Sequence, residues 1–237
     1  MGLNRTSLLS SWLERKITLL TKPQVVALFN GSIVTLQLTI VAIIAGIILG
    51  VILALGRISK SKLLNGITWI YIWAFRGTPL LMQLFIVVYA FPLFSRDIFG
   101  TPLRLPLMGA AALAYSLNSA AYLAEIFRAG IQSIDKGQME ASKALGMSYY
   151  QAMFTIIIPQ AYRRLIPPVG NELIMLLKDT SLVASIGLFD TLRTTSQMTN
   201  ATGQWFYYIY AALVYLFFTT IISVLFDKVE KKYSIYD

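Results

Sequence analysis

Cysteine and histidine are both absent from the sequence. Their absence removes disulfides, thiolate chemistry, imidazole acid–base work and the usual zinc and copper ligand sets. It also leaves a membrane enzyme few candidates for a nucleophile and its base. No metal or other cofactor is expected. Charge is scarce as well: Asp, Glu, Lys and Arg make up 13% of the chain, against roughly 25% in a soluble domain. No G-x-x-x-x-G-K-[ST] sequence occurs, so the chain has no P-loop to hold nucleotide phosphates. Arg15, Lys16 and Lys22 interrupt the N-terminal region before any long apolar core, which argues against a signal peptide. No internal repeat, low-complexity tract or appended soluble domain is visible, and the reading is one membrane domain.

What fills the chain is hydrocarbon. Hydrophobic residues make up 57% of it and the mean hydropathy is +0.66. No acidic or basic residue lies between Lys22 and Arg57, between Arg104 and Glu125, or between Arg193 and Asp227. Each run can supply the ~20 residues that a spanning helix needs. Five spans are expected: Gly31 to Leu55, Gly66 to Phe91, Leu105 to Ile126, Leu165 to Leu188 and Phe206 to Phe226. The fourth is chemically the weakest, because Pro167 and Pro168 open it and Glu172, Lys178 and Asp179 lie within it. Before the first span, Leu9, Trp12, Leu13, Ile17 and Leu20 fall on one helical face, which fits an interfacial helix. The expected division is an extracytoplasmic or interfacial segment over 1–30, a transmembrane unit over 31–226 and a cytoplasmic tail over 227–237.

The net charge of +9 reflects topology rather than nucleic-acid binding, since the basic residues sit in short loops beside apolar segments. Arg57, Lys60 and Lys62 follow the first span, Arg128 to Arg164 follow the third, and Lys228, Lys231 and Lys232 follow the fifth. By the positive-inside rule these loops share the cytoplasmic face, with the N-terminus outside and the C-terminus inside. The loop after the third span, about 129–164, contains MEASKALGMSYYQAMFTIIIP, from Met139 to Pro159. Gly146 can take the left-handed conformation that ends a helix, Ser148 can cap the next one, and Gln151 completes a capping box. The expectation is a short helical knob on the cytoplasmic side that stops at Pro159.

Ionisable residues at bilayer depth cost at least ~2.5–3.5 kcal/mol each by insertion scales. Arg76, Glu172, Lys178 and Asp179 are therefore expected to face partners or water. Tyr115, Asn118, Ser119, Tyr122 and Glu125 form one polar stripe on the third span, and Asn171, Glu172, Met175, Lys178 and Asp179 repeat it on the fourth. Two readings stand side by side: a shared aqueous path, or glue between helices in which Arg76 and Lys178 neutralise the carboxylates. Gly77, Thr78 and Pro79 invite either a helix break that exposes backbone to a substrate or a plain packing kink. Glu125 and Arg128 read as a structural i,i+3 pair.

The order Glu140, Ala141, Ser142, then Gly146, then Ile156, Ile158 and Pro159 resembles the cytoplasmic loop of ATP-binding cassette importer permeases. FRGTPLLMQLF, Phe75 to Phe85, and GNELIMLLKDTSLVASIG, Gly170 to Gly187, resemble the polar amino acid uptake branch of that family. The resemblance implies an all-α type I importer permease fold, with five transmembrane helices and a cytoplasmic coupling hairpin. It implies a second permease chain, two cytoplasmic ATPase subunits, an extracytoplasmic binding protein and a polar amino acid substrate, in a bacterial inner membrane. Glu140, Ala141, Gly146, Met147, Ser148 and Pro159 are then the expected coupling residues. Arg76, Thr78, Asn118, Tyr122, Glu172 and Asp179 are the expected substrate contacts. A stand-alone secondary transporter is the competing class, disfavoured by five spans without inverted repeats.

Overall fold

A computed structural model of the chain describes residues 20–233, and among these there is helix but no strand. Helix α1 runs Lys22–Ile58, α2 Lys62–Gly77, α3 Leu80–Phe99 and α4 Leu107–Gln132. Then come α5 Lys136–Ala144, α6 Tyr149–Ala152, α7 Ile158–Asp179 with a 3₁₀ extension Thr180–Ile186, α8 Thr191–Thr202 and α9 Tyr207–Tyr233. The expected interfacial face from Leu9 to Ile17 lies outside the described residues.

Among the described residues, four helices are long and apolar enough to cross a membrane: α1, α3, α4 and α9. The fourth expected span corresponds to α7 and its 3₁₀ extension, and it falls short because Arg163, Arg164, Glu172, Lys178 and Asp179 dilute it. Its prolines do not open it. Pro167 and Pro168 lie inside α7, which begins nine residues earlier at Ile158. The second expected span is two helices, α2 and α3, separated at Thr78, whose φ of −118° and ψ of 144° are extended. Helix α1 has 37 residues, about 55 Å of helix, and outruns the ~30 Å hydrocarbon core. It starts at Lys22 rather than Gly31, with the Thr21 N–H donating to Gln24 Oε1 at 2.9 Å and Pro23 in the first turn.

Pro159 does not stop the coupling hairpin either. Residues Met153–Ile157 form a π turn, with the Ile158 N–H donating to the Met153 carbonyl, and α7 continues through Pro159. The same arrangement recurs before Pro92, where Ile86–Ala90 form a π turn and the Phe91 N–H donates to the Ile86 carbonyl. A proline ring collides with the carbonyl four residues back and supplies no N–H. In both places that carbonyl, Thr155 or Val88, lies in the wider turn, which moves it clear of the ring.

Helix α4 is the centre of the bundle and packs on α1, α2, α3 and α7. Its contact with α1 depends on small residues: Gly46 faces Ser119 and Leu123, and Gly50 faces Leu123 and the Ala120 carbonyl. Between lipid-solvated helices, close backbone approach of this kind supplies the dispersion energy that the hydrophobic effect does not. The core above it contains Leu38, Ala42, Leu84, Ala114, Tyr115, Leu176 and Val183. Away from the core, α1 exposes Ile40, Ile44, Ile48 and Ile52, and α9 exposes Leu213, Leu216, Phe217 and Leu225. These are faces for hydrocarbon.

At the end of the bundle opposite the knob, a buried polar network locks α8 in place. Asp190, fully buried, caps α8 by accepting from the Arg193 N–H at 2.8 Å and the Leu192 N–H at 3.1 Å. The Tyr215 hydroxyl donates to the same carboxylate at 3.2 Å, and Thr35 of α1 meets Thr191 at 3.1 Å.

A Cβ on residue 50 would lie 2.9 Å from Leu123 Cβ, whereas one on residue 109 meets nothing nearer than Pro106 Cδ at 4.0 Å. Gly50→Leu should therefore lower the thermal midpoint of the detergent-solubilised protein, by an overpacking cost of about 1–3 kcal/mol. Gly109→Ala should leave it in place. Matching midpoints for the two variants would mean that α1 and α4 are not close-packed.

Candidate functional site

The break between α2 and α3 leaves backbone groups at bilayer depth without helical partners. Gln83 and Asn118 take them up. The Gln83 amide donates to the Phe75 carbonyl at 2.8 Å, the Thr78 carbonyl at 3.0 Å and Thr78 Oγ1 at 2.9 Å. The Asn118 amide donates to Gln83 Oε1 at 3.0 Å and to the Phe75 carbonyl at 3.3 Å. Gly77–Pro79 is thus a built discontinuity and more than a kink. Pro79 has no N–H, so the unpaired donors at the break are the first-turn amides of α3, Leu80 and Leu81.

Beside this break lies a cavity of about 450 Å³. Arg76, Thr78, Asn118, Tyr122, Glu172 and Asp179 all line it, together with Leu80, Leu81, Met175, Leu176 and Leu182. Three separate stretches of sequence are brought to one place by α2, α4 and α7. Of the second polar stripe, Asn171 and Lys178 are exposed and do not line the cavity.

The charges in the cavity are not paired with one another. The Arg76 guanidinium lies over the Tyr122 ring, 5.3 Å from its centroid. Neither Arg76 nor Lys178 forms an ion pair with Glu172 or Asp179 among the described residues. Glu172 is 8% exposed and accepts from Ser119 Oγ at 3.2 Å. The Tyr115 hydroxyl donates to the Asp179 carbonyl at 2.7 Å, which leaves the Asp179 side chain for the cavity. The α4 stripe therefore divides its work: Tyr115 and Ser119 position α7, while Asn118 and Tyr122 face the open space.

Arg76 and Tyr122 also border a second cavity of about 560 Å³ that continues past Glu125, Ser133 and Arg164. Glu125 is held there by Arg128 at 2.6 Å and lies 3.8 Å from Arg57, so the expected i,i+3 pair extends to the end of α1.

At the far end of α7 is the knob formed by α5 and α6. Asp135 caps α5 by accepting from the Gly137 N–H at 2.6 Å. Gly146 has φ +80°, and Met147 N–H donates to the Ser142 carbonyl at 3.1 Å across the turn. Ser148 and Gln151 form the capping box, with the Ser148 N–H donating to Gln151 Oε1 at 2.8 Å. Ser142, 4% exposed, anchors the knob, and Ile134, Ile157 and Ala161 pack beneath it. Glu140, Ala141, Ser148 and Pro159 are exposed and Met147 is half-buried. Sequence reasoning missed the tip: Leu145 is 84% exposed, Tyr150 73% and Phe154 68%. Its signal was present, as large apolar side chains in a loop assigned to water.

A lipid-facing bundle with a polar cavity at a helix break, tied by one helix to an exposed knob and without a nucleotide-binding sequence, describes a translocation unit worked by another chain. Residues 46–235 match the family described as the binding-protein-dependent transport system inner membrane component. The chain belongs to that family, whose members are permeases of ATP-binding cassette importers working with separate ATPase and substrate-binding partners. It is a multi-pass inner-membrane protein and not an enzyme. It is 40% identical over 213 residues to the arginine transport system permease protein ArtQ of Bacillus subtilis (strain 168), covering 90% of this chain and 94% of that protein. It is 39% identical over 211 residues to the L-cystine transport system permease protein TcyB of the same organism, covering 88% and 87%. The crystal structure of an amino acid ABC transporter with histidines superposes with a TM-score of 0.80 at 33% identity, over 98% of this chain and 100% of that one.

The left-handed turn at Gly146 has no atom within 4 Å of a new Cβ, so a substitution there is resisted by backbone conformation alone. Gly146→Val should reduce co-purification of the ATPase or the response of its hydrolysis to substrate. Gly146→Asn, which tolerates φ > 0, should retain both, and equal behaviour of the two would remove the turn from the docking geometry. Gln83→Leu should destabilise the protein by about 1–3 kcal/mol through the orphaned Thr78 carbonyl. An unchanged thermal midpoint would show that the break does not need the amide.

Proposed function

We propose that the chain forms one half of the path of an ATP-driven importer for a polar amino acid, which pauses in the cavity at the helix break. The observation that carries this reading is the convergence of Arg76, Glu172 and Asp179 on one open space with no ion pair between them. A zwitterion crossing a low-dielectric region needs partners of both signs or equivalent dipoles. Arg76, or the free amides of Leu80 and Leu81, holds the α-carboxylate, and Glu172 or Asp179 holds the α-ammonium. Tyr122 and Thr78 shape the side-chain pocket. Asn118 borders the same pocket, with its amide N–H groups committed to Gln83 and Phe75. The similarity to permeases named for arginine and for L-cystine supports an amino acid as the cargo and leaves the choice of side chain open.

The second cavity, beyond Arg76 and Tyr122, is the way onward to the cytoplasm. The Lys/Arg distribution supports a cytoplasmic C-terminus and an extracytoplasmic N-terminus. Glu140, Ala141, Gly146, Met147, Ser148 and Pro159 present the knob to the ATPase, with Leu145, Tyr150 and Phe154 as its apolar tip. Helix α7, 22 residues long or about 33 Å, then carries knob motion to Glu172 and Asp179. Two permease chains and two ATPases make the complex, because one five-helix half encloses little path and offers one knob.

Arg76→Gln in the reconstituted complex should lower uptake roughly ten- to a hundredfold, the size of a lost charge-assisted hydrogen bond. Basal ATP hydrolysis and the mass of the complex, two permease chains with two ATPases by native mass spectrometry, should be unchanged. Loss of assembly in this variant would make Arg76 structural and sink the site. Uptake driven by a proton or sodium gradient with no ATPase present would sink the ATP-driven reading instead.

A further inference from the structure

The turn between α1 and α2 carries a cavity that the transport path does not use. It measures about 350 Å³ and includes Ser59, Lys60, Ser61, Lys62, Asn65 and Trp69 in its lining. No acidic residue occurs in sequence between Glu14 and Asp97. Among the described residues neither Lys60 nor Lys62 has an ion-pair partner. The neighbouring cation is occupied: Arg57 is engaged by Glu125 and by Asn65. Among the described residues, nothing acidic compensates the positive charge of Lys60 and Lys62 in the turn.

The backbone adds donors at the same place. Ser61 caps α2 by accepting from the Leu64 N–H at 3.4 Å, and the Ser61 N–H donates to Ser59 Oγ at 3.2 Å. The amides of Lys62 and Leu63, the first two of a 16-residue helix, have no intrahelical acceptor. Immediately beyond, α2 is hydrophobic and uncovered. Leu63 is 72% exposed, Ile70 57% and Trp73 64%, and Trp69 stacks on Trp73 with ring centroids 6.1 Å apart. Tryptophan at a membrane boundary sits at headgroup level, so the cationic cavity and the apolar face meet where a lipid changes from phosphate to acyl chain.

We infer that this elbow is a binding site for an anionic phospholipid, with Lys60 and Lys62 on the phosphate and the acyl chains lying along Leu63, Ile70 and Trp73. Charge complementarity selects the occupant. A zwitterionic headgroup brings its own ammonium and leaves the lysines unsatisfied, whereas an anionic one neutralises them, and basic residues beside the cytoplasmic leaflet attract such lipids. The lipid ties the α1–α2 turn to the membrane at the end of α1 where Arg57 meets Glu125, the carboxylate that borders the second cavity.

The test uses the permease–ATPase complex in mild detergent, with phosphatidylglycerol and phosphatidylcholine as probes and native mass spectrometry as the readout. Phosphatidylglycerol should remain bound through delipidation, one per permease chain, and phosphatidylcholine should not. Lys60→Gln/Lys62→Gln should weaken phosphatidylglycerol binding roughly tenfold or more, with complex mass and ATP hydrolysis unchanged. Lys136→Gln/Lys228→Gln, which removes the same charge elsewhere, should retain it. The site would be overturned by equal loss in both double variants, by equal affinity for the two lipids, or by displacement at millimolar inorganic phosphate, which would mark a free-anion site. Loss of the ATPase from the Lys60→Gln/Lys62→Gln complex would assign the elbow to protein docking and overturn it too.

Discussion

In hydrocarbon an unpaired backbone carbonyl has no water to turn to, and this constraint organises the centre of the protein. Opening a helix at Gly77–Pro79 strands the carbonyls of Phe75 and Thr78. Gln83, one turn into α3, reaches back to both, and Asn118 on α4 takes Phe75 as well as Gln83. The break therefore needs α4 alongside it at a fixed depth, and α4 is placed by the Gly46 and Gly50 contacts with α1. Close helix packing on one side of α4 permits irregular backbone on the other. The cavity is the space that this irregularity leaves.

The proposed coupling rests on the same economy of parts. Helix α7 passes from the knob to the cavity without interruption because a π turn moves the Thr155 carbonyl clear of Pro159. Had the helix stopped at Pro159, the knob would be a flexible appendage, unable to transmit force. Continuity turns the Gly146 turn and the Glu172–Asp179 wall into two ends of one stiff element, and packed elements of this kind shift as units rather than bend.

Much of this was legible in residue type and spacing. The left-handed Gly146 and the Ser148–Gln151 capping box are local chemistry, and local chemistry survives the change from sequence to structure. The gathering of Arg76, Thr78, Asn118, Tyr122, Glu172 and Asp179 followed from the cost of ionisable and polar groups at depth, which forces them onto common ground. Proline departs from its local preference against helix interiors in two ways: a π turn relieves the clash before Pro159, while Pro167 and Pro168 lie inside the continuous helix α7, which packs on α4 and α9. Gln83 and Asp190 carry no signal in the sequence for a different reason. Their partners lie on other helices or across a break, and no periodicity marks a side chain whose purpose is to satisfy distant backbone.

Under the proposed function, the unpaired state of the cavity charges suits what a path must do. A buried pair with good geometry needs no ligand, and a side chain committed to a partner must be freed before it can meet a substrate. Here Arg76 is held over the Tyr122 ring, an attraction of about 0.5–2 kcal/mol, weaker than the carboxylate contact it would make with a zwitterion. Glu172 has one hydroxyl donor from Ser119, enough to orient it and too little to satisfy a charge. Under the proposed function, an arriving amino acid improves the electrostatics of both groups, while its own desolvation offsets most of that gain. The result is a site that recognises the zwitterion and still lets it go, which a sealed Arg76–Glu172 pair would not do.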